Sequence, residues 1–332
     1  MKPVIKIGLT YDLRSDYLKR GFSEEDTAEF DAEETICALA EAITALDFEV
    51  DRIGNLSDLI EHLYKGRRWA LVFNICEGMY GRSREGQVTA LLDAYKIPYI
   101  FSDTVTLSLC LDKSLTKLVV RAFNVPTAEF YLIKSQEDLK NENLLLSIAY
   151  PLFVKPVHEG TGKGIDSMSI VYDKASLIDR CSGLLRKYNQ PVLVEKYLSG
   201  REFTVGIVER QNRTDVLGVL EVKIKNKAEA PVYSYHNKEN FKEKVEYSIV
   251  TDEAIVAEAS DISLTVFKEL DCRDAARVDL RADESGRLCF LEINPLPGLH
   301  PTHSDLPILC AMLNIDYTTL ISNIITSALK RV

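Results

Sequence analysis

The sequence predicts an α/β protein: an amino-terminal parallel sheet covered by helices, followed by two mixed α+β units. Three observations carry this. Strand and helix patterns alternate over the first hundred residues. A buried-looking strand ends on Lys155 and runs into a glycine-rich loop. Near the carboxy terminus, two strands joined by a turn sequence both alternate polar and apolar residues.

In the first unit, residues 4–9 read as a strand and 32–46 as an amphipathic helix with apolar residues at helical spacing. Residues 49–53 read as a strand, 58–65 as a helix and 70–75 as a buried strand. A helix over 87–95 and a short strand over 98–101 follow. Such alternation implies a parallel sheet under helices. A second unit opens near Leu111-Asp112-Lys113, with a helix over 114–123 that ends at Val125-Pro126. Strands are expected over 130–133, 152–155, 169–172 and 192–195, and a helix over 175–188. The third unit has strands over 202–208 and 217–224, then a polar segment, 231–247, that reads as a long loop. A helix follows over 253–270. Strands over 275–280 and 288–294 are joined by Asp283-Glu284-Ser285-Gly286, a good hairpin turn. Helices over 306–313 and 317–328 close the chain. The expected domains are 1–111, 112–202 and 203–332.

With 332 residues, the chain can bury two or three ordinary cores. No apolar run is long enough to span a bilayer, and the charged first strand does not read as a secretory signal. A net charge of −10 argues against broad nucleic-acid binding, while leaving room for a local basic pocket for phosphates. The cysteines are scattered, form no C-x-x-C pair and mostly lie in apolar segments. Buried, reduced thiols in a cytoplasmic protein are therefore expected.

The hairpin carries the most chemistry. Alternation puts Arg277 and Asp279 on one face, opposite Val278 and Leu280. On the second strand it puts Glu292 and Asn294 on one face, opposite Leu291 and Ile293. If the polar faces coincide, two carboxylates and an amide oxygen meet beside a guanidinium. Hard oxygen donors of this kind suit Mg²⁺ together with phosphate oxygens. A half-exposed hairpin with incidental charges has the same pattern. The loop Glu159-Gly160-Thr161-Gly162-Lys163-Gly164 can bring backbone N–H groups to phosphate. It is not a P-loop, because Gly164 follows the lysine where Ser or Thr is needed. No G-x-G-x-x-G follows the first strand, so the dinucleotide-binding fingerprint is absent. The loop alone could be an ordinary turn. Val194-Glu195-Lys196-Tyr197-Leu198 with Glu202 could bind adenine and ribose, or be simply strand, loop and strand.

In order, these segments resemble the D-alanine–D-alanine ligase branch of the ATP-grasp superfamily. The matching pieces are residues 111–117, Val154-Lys155-Pro156 with its loop, 194–198 with Glu202, Arg277-Val278-Asp279, and 291–295 with Pro297-Gly298. The resemblance implies a three-domain ATP-grasp fold with an amino-terminal pre-ATP-grasp domain. It also implies a carboxylate–amine ligase that uses ATP and two Mg²⁺ ions through an acyl phosphate. Small amino-acid or carboxylate substrates and a homodimer are implied, with no nucleic acid or membrane as partner. By this resemblance Lys113 and Lys155 contact the ATP phosphates. Glu195, Lys196 and Leu198 line the adenine pocket, and Glu202 holds the ribose. Glu159, Gly160, Thr161 and Gly162 lie in the loop that closes over the phosphates, with Thr161 counted among the catalytic residues. Asp279, Glu292 and Asn294 hold the metal ions. Arg277 stabilises the oxyanion, and Lys238 reaches the γ-phosphate from a mobile loop. Gly298 and Ser304 match the stretch that binds the acceptor carboxylate. The same fold also serves phosphotransfer and catalytically silent nucleotide binding.

The amino-terminal third departs from the family pattern. Residues 8–14, Gly-Leu-Thr-Tyr-Asp-Leu-Arg, replace a start with a glycine pair, a hydroxyl residue and an ammonium-binding glutamate. Glu77-Gly78 replaces a His-Gly, and Glu239 follows Lys238 where a latching tyrosine is expected. The stretch 299–305 is one residue longer. These positions face the substrates, which implies retained ATP machinery with altered substrates. Arg14, Arg82 and Arg84 are candidates to bind an acidic substrate, and Glu77 or Glu85 an amine. Solvated loop charges are the alternative at each position. For His300 and His303 the alternative to a ligand role is a hydrogen-bonded loop.

Overall fold

The computed structural model describes residues 5–210, 213–224 and 245–332. Lys238 and most of the expected 231–247 loop lie outside these residues.

Three sheets organise the chain. The first has β1 (Lys6–Tyr11) between β2 (Glu49–Gly54) and β3 (Leu71–Ile75), all parallel. Around it lie α1 (Arg14–Lys19), α2 (Glu33–Ala45), α3 (Leu56–Tyr64), α4 (Gly86–Ala94) and α5 (Thr104–Leu111). β3 is buried throughout, as its mostly apolar sequence requires, and its one polar residue, Asn74, accepts from Thr10 at 2.9 Å. The expected strand over 98–101 is reduced to a single parallel bridge from Tyr99 to Val72. Phe101 turns the chain away there with φ of 73°, which ends any further pairing.

The second sheet is antiparallel, in the order β4 (Phe130–Ile133), β7 (Val192–Lys196), β5 (Leu152–Pro156) and β6 (Ile170–Val171). It is preceded by α6 (Lys113–Ala122). The short α7 (Glu142–Leu145) and α8 (Lys174–Tyr188) pack with it. The Asp112 carboxylate accepts from the backbone N–H groups of Ser114 and Leu115, a side-chain cap that starts α6 at Lys113.

The third sheet runs β10 (Val245–Ile249), β9 (Arg213–Ile224), β8 (Glu202–Arg210), β11 (Ala275–Ala282) and β12 (Leu288–Asn294). The tail of the predicted loop, 245–247, is therefore strand. One long helix, α9 (Glu253–Glu269), shares the core of this sheet. Its amino end is capped by Asp252.

α10 (Asp305–Met312) and α11 (Tyr317–Ala328) close the chain. Leu320, Ile321, Ile324 and Ile325 of α11 share one core with Ile7, Leu9, Ile36 and Phe73. The carboxy-terminal helix packs against α2 and β8 and so ties the two ends of the chain together. Among the described residues no single helix is long and apolar enough to cross a membrane. All seven cysteines are free, and six are buried.

The connector from β7 to β8 is pressed against the hairpin. Gly200 donates its N–H to the Ala282 carbonyl at 3.0 Å, and an added Cβ would lie 2.6 Å from that oxygen. A backbone carbonyl cannot yield as a side-chain tip can. Gly200→Ala should therefore cost about 1–3 kcal/mol. Denaturant unfolding should show a lower midpoint at unchanged slope.

Candidate active site

The second and third sheets face each other across a narrow cleft of about 90 Å³. Every residue that the sequence singles out for nucleotide within the described residues lines it. Lys155 comes from β5, and Glu195 and Lys196 from β7. Leu198 comes from the β7–β8 connector, Glu202 from the start of β8, and Lys113 from the start of α6. Glu159, Gly160, Thr161 and Gly162 form one wall, and Asp279 and Glu292 another.

The lysines are held by buried acid. Glu195, 3% exposed, pairs with Lys155 at 2.8 Å and with the fully buried Lys117 at 2.9 Å. Burial alone would push its carboxyl up, but the two ammonium groups outweigh burial and hold it at about 2. Lys113 donates to the Glu159 carbonyl at 2.7 Å and lies 3.4 Å from Glu292. Lys196 turns its ammonium to the carbonyls of Ala149 and Tyr150, 3.2 Å from each. It therefore offers the cleft its backbone and stem. Glu202 pairs with Arg281 at 3.1 Å.

In the glycine loop, β-branched Thr161 holds φ of 52° and Gly162 holds 74°. A positive φ at threonine costs about 1–3 kcal/mol and persists only where the surroundings impose it.

The hairpin brings the polar faces together as its register requires, with Asp279 opposite Glu292 and Arg277 opposite Asn294. One expectation fails here. Leu280 pairs with Phe290, so Leu291 is the extra residue of a β-bulge and does not share Ile293's face. The bulge turns Leu291 into the cleft beside Glu292. Arg277 lies 2.9 Å from Asp279 and 3.2 Å from Asp305. The Asp279 carboxylate also accepts from Thr204 at 2.9 Å and from the Asn294 amide at 3.4 Å. Among the described residues no group of three His, Cys, Asp or Glu side chains is placed to hold a metal. The set here is two carboxylates and an amide oxygen. That donor chemistry fits Mg²⁺ provided phosphate oxygens and water complete the shell.

A second, larger cleft opens on the other side of Lys113, Gly160, Thr161 and Glu292, which line both. Arg277, Asn294, Gly298 and Ser304 lie on its wall. Ser304 Oγ accepts from the His300 N–H at 3.0 Å, and Gly298 has no side chain to collide with it. His300 and His303 meet edge to face, with ring nitrogens 3.0 Å apart. Arg14 reaches this cleft, as do Asp31, Glu34, Glu77 and Glu85. Burial, and then the neighbouring Glu85 and Glu29, push the Glu77 carboxyl well up. Burial pushes Asp31 up to about 7, and Glu85 rises as far despite Arg84.

Two candidates for binding an acidic substrate are corrected. Arg82 pairs with Asp112 at 2.6 Å. Arg84 pairs with Glu29 and donates to the His158 carbonyl at 2.9 Å. Both line a separate cavity behind the glycine loop. Neither lines the larger cleft.

Sequence reasoning missed Lys117, Glu29, Asp31 and Asp305. Lys117 was within reach, because it stands one helical turn from Lys113 on the same face. The acids of the 24–31 segment carry no periodic signal.

A family model described as the carboxy terminus of D-ala D-ala ligase matches residues 119–326. The chain belongs to the D-alanine–D-alanine ligase family. It is 35% identical to a D-alanine–D-alanine ligase of Aquifex aeolicus, over 77% of this chain and 81% of that one. It is 32% identical to the uncharacterised protein y4sG of Sinorhizobium fredii, over 80% and 76%. The crystal structure of a D-alanine–D-alanine ligase from Bacillus anthracis complexed with ATP superposes with a TM-score of 0.76 at 24% identity, covering 98% of both chains. That likeness shows the fold, the ATP-grasp class expected from the sequence.

Glu195 makes a testable electrostatic claim. Its folded pKa lies below its ordinary 4.5, so its contribution is complete above that pH and is lost as pH falls towards 2. Thermal melts of the wild type should steepen downward across that window. Glu195→Gln should flatten the slope and cost about 3–5 kcal/mol near neutrality, because two buried lysines lose their partner.

Proposed function

We propose that this protein joins the carboxylate of one amino acid to the amine of a second, through an acyl phosphate, releasing ADP and phosphate. The observation that carries this is the junction of the two clefts. A carboxylate in the larger cleft would meet a γ-phosphate in the smaller one at Lys113, Thr161 and Glu292, which border both.

A carboxylate must be activated before an amine can displace its oxygen. Bringing it to a triphosphate sets anions against anions, and Lys113 and Lys155 offset that repulsion. Asp279, Glu292 and Asn294 would hold Mg²⁺, which supplies further charge neutralisation at the phosphates. Lys196, Tyr197 and Leu198 would bound the adenine with backbone and apolar surface, and Glu202 would accept from the ribose hydroxyls. Glu195 would act on phosphate through the lysines it holds. The glycine loop with Thr161 would cover the phosphates and exclude water from the acyl phosphate. Arg277, held between Asp279 and Asp305, would meet the oxyanion that forms when the amine attacks. Gly298 and Ser304 would receive the acceptor's carboxylate, and Lys238 the γ-phosphate.

Asp31, Glu77 and Glu85 crowd one side of the larger cleft near Arg14, and burial raises their carboxyls, so an incoming ammonium would favour their charged form. That arrangement suits ammonium-bearing substrates better than diacids. D-alanine pairs are the first to test, since that is what the Aquifex aeolicus relative's name describes. The domains would run 1–111, 112–202 and 203–332, in a homodimer. Nucleotide use and free thiols suit the cytoplasm.

ADP release should be followed with Mg²⁺, ATP and a panel of D- and L-amino acids, with mass spectrometry of the products. Turnover that needs a carboxylate and an amine, with an amide formed, is expected. Turnover indifferent to carboxylates sinks the proposal. Asp279→Asn or Glu292→Gln should lower kcat by about 10²-fold or more with the melting profile retained.

A further inference from the structure

The glycine loop is gripped from outside its own unit. Glu29 lies between α1 and α2, in the amino-terminal third, yet its carboxylate accepts from the Gly160 N–H at 2.7 Å. The same carboxylate lies 3.2 Å from Lys163 and pairs with Arg84. Lys163 also pairs with Glu159 at 2.5 Å, and Glu159 accepts from Gln190 at 2.7 Å. One buried acid therefore touches the start and the middle of the loop at once. Gly160 permits the approach, since a Cβ there would sit 3.0 Å from the Glu29 oxygen. Glu29 also forms part of the wall of the larger cleft, two residues from Asp31.

We propose that Glu29 is a positioning residue that clasps the phosphate-covering loop and ties its placement to the wall of the amino-acid cleft. This rests on the assignment of the smaller cleft to nucleotide, but not on the identity of the amino acids. Two features set Glu29 apart from an ordinary surface pair. It is almost fully buried, so solvent does not screen it. It also holds the loop through a backbone N–H, which fixes the main chain and not only a side-chain tip. While Glu29 holds it, the Gly160 N–H does not point to phosphate, so the clasp selects which loop groups can. A neighbouring contact supplies the control. Lys187 pairs with Glu25 at 2.7 Å on the exposed outer side of the same segment, without touching the loop.

Mg-ATP binding should be measured by titration calorimetry, and loop exposure by tryptic cleavage after Lys163. Neither readout needs the amino-acid substrates, so the clasp can fail while the ligase assignment stands, and the reverse. Glu29→Gln should weaken ATP binding about tenfold and speed cleavage at Lys163. Gly160→Ala should do the same by pushing the loop off Glu29, and the double variant should be no worse than the poorer single one. Lys187→Ala should change neither readout by more than about twofold. If Glu29→Gln does not fold, Glu29→Asp keeps the charge but draws back from Gly160, and the same loss is expected. ATP binding and cleavage unchanged in the folded Glu29 variant, or fully additive losses in the double variant, would overturn the proposal.

Discussion

Two lysines with one buried carboxylate between them are the constraint around which the cleft is arranged. Lys117 and Lys155 could not both stay charged inside the protein without Glu195. Meeting that requirement joins three elements. Lys117 comes from α6, while Lys155 and Glu195 come from neighbouring strands of the second sheet. Lys117 also donates to Thr127 and reaches the Phe290 carbonyl of β12 at 3.3 Å, which ties the second sheet to the third. The wall that would face phosphate is thus cationic and stiff, because each ammonium is already placed by a partner. A wall of free lysines would have to be ordered by the ligand itself, at an entropic cost of ~1.5–2 kcal/mol for each side chain.

The opposite wall is set by backbone geometry. Antiparallel register puts Asp279 across from Glu292, and the bulge at Leu291 breaks the alternation beside them. A regular hairpin would carry Leu291 to the far face. The bulged one lends the cleft an apolar residue next to an acidic one, which suits a ligand with a flat ring at one end and phosphates at the other. Arg277 is positioned by the same strand, with Asp279 and Asp305 holding its guanidinium in charged form.

How much of this was legible in the sequence follows from distance along the chain. Lys155 and its loop, the 194–198 segment and the hairpin are each contiguous. Period-two alternation and glycine placement reveal them, and folding brings them to one cleft. What was missed depends on contacts between distant segments. Glu29 meets Gly160 across 131 residues, and Asp305 meets Arg277 through the packing of α10. Arg82 and Arg84 looked like spare cations because their partners, Asp112 and Glu29, are invisible to local pattern. Leu291 was misplaced because a bulge leaves no mark in hydrophobic periodicity.

The same asymmetry bears on how such a protein can change substrate. The lysine-bearing wall of the smaller cleft is a set of mutually satisfied charges, so altering one member strands another in the interior. The larger cleft is assembled from loop residues of the first unit and the approach to α10, and burial, more than any neighbouring charge, sets its acids Asp31, Glu77 and Glu85. Substitutions there disturb fewer partners. The two clefts nevertheless stay in register, because α11 packs on both α2 and β8 and shares the core of the amino-terminal sheet. Variation in the first third of the chain can then redirect what is joined, while the phosphate-facing groups remain where the interlocked lysines hold them.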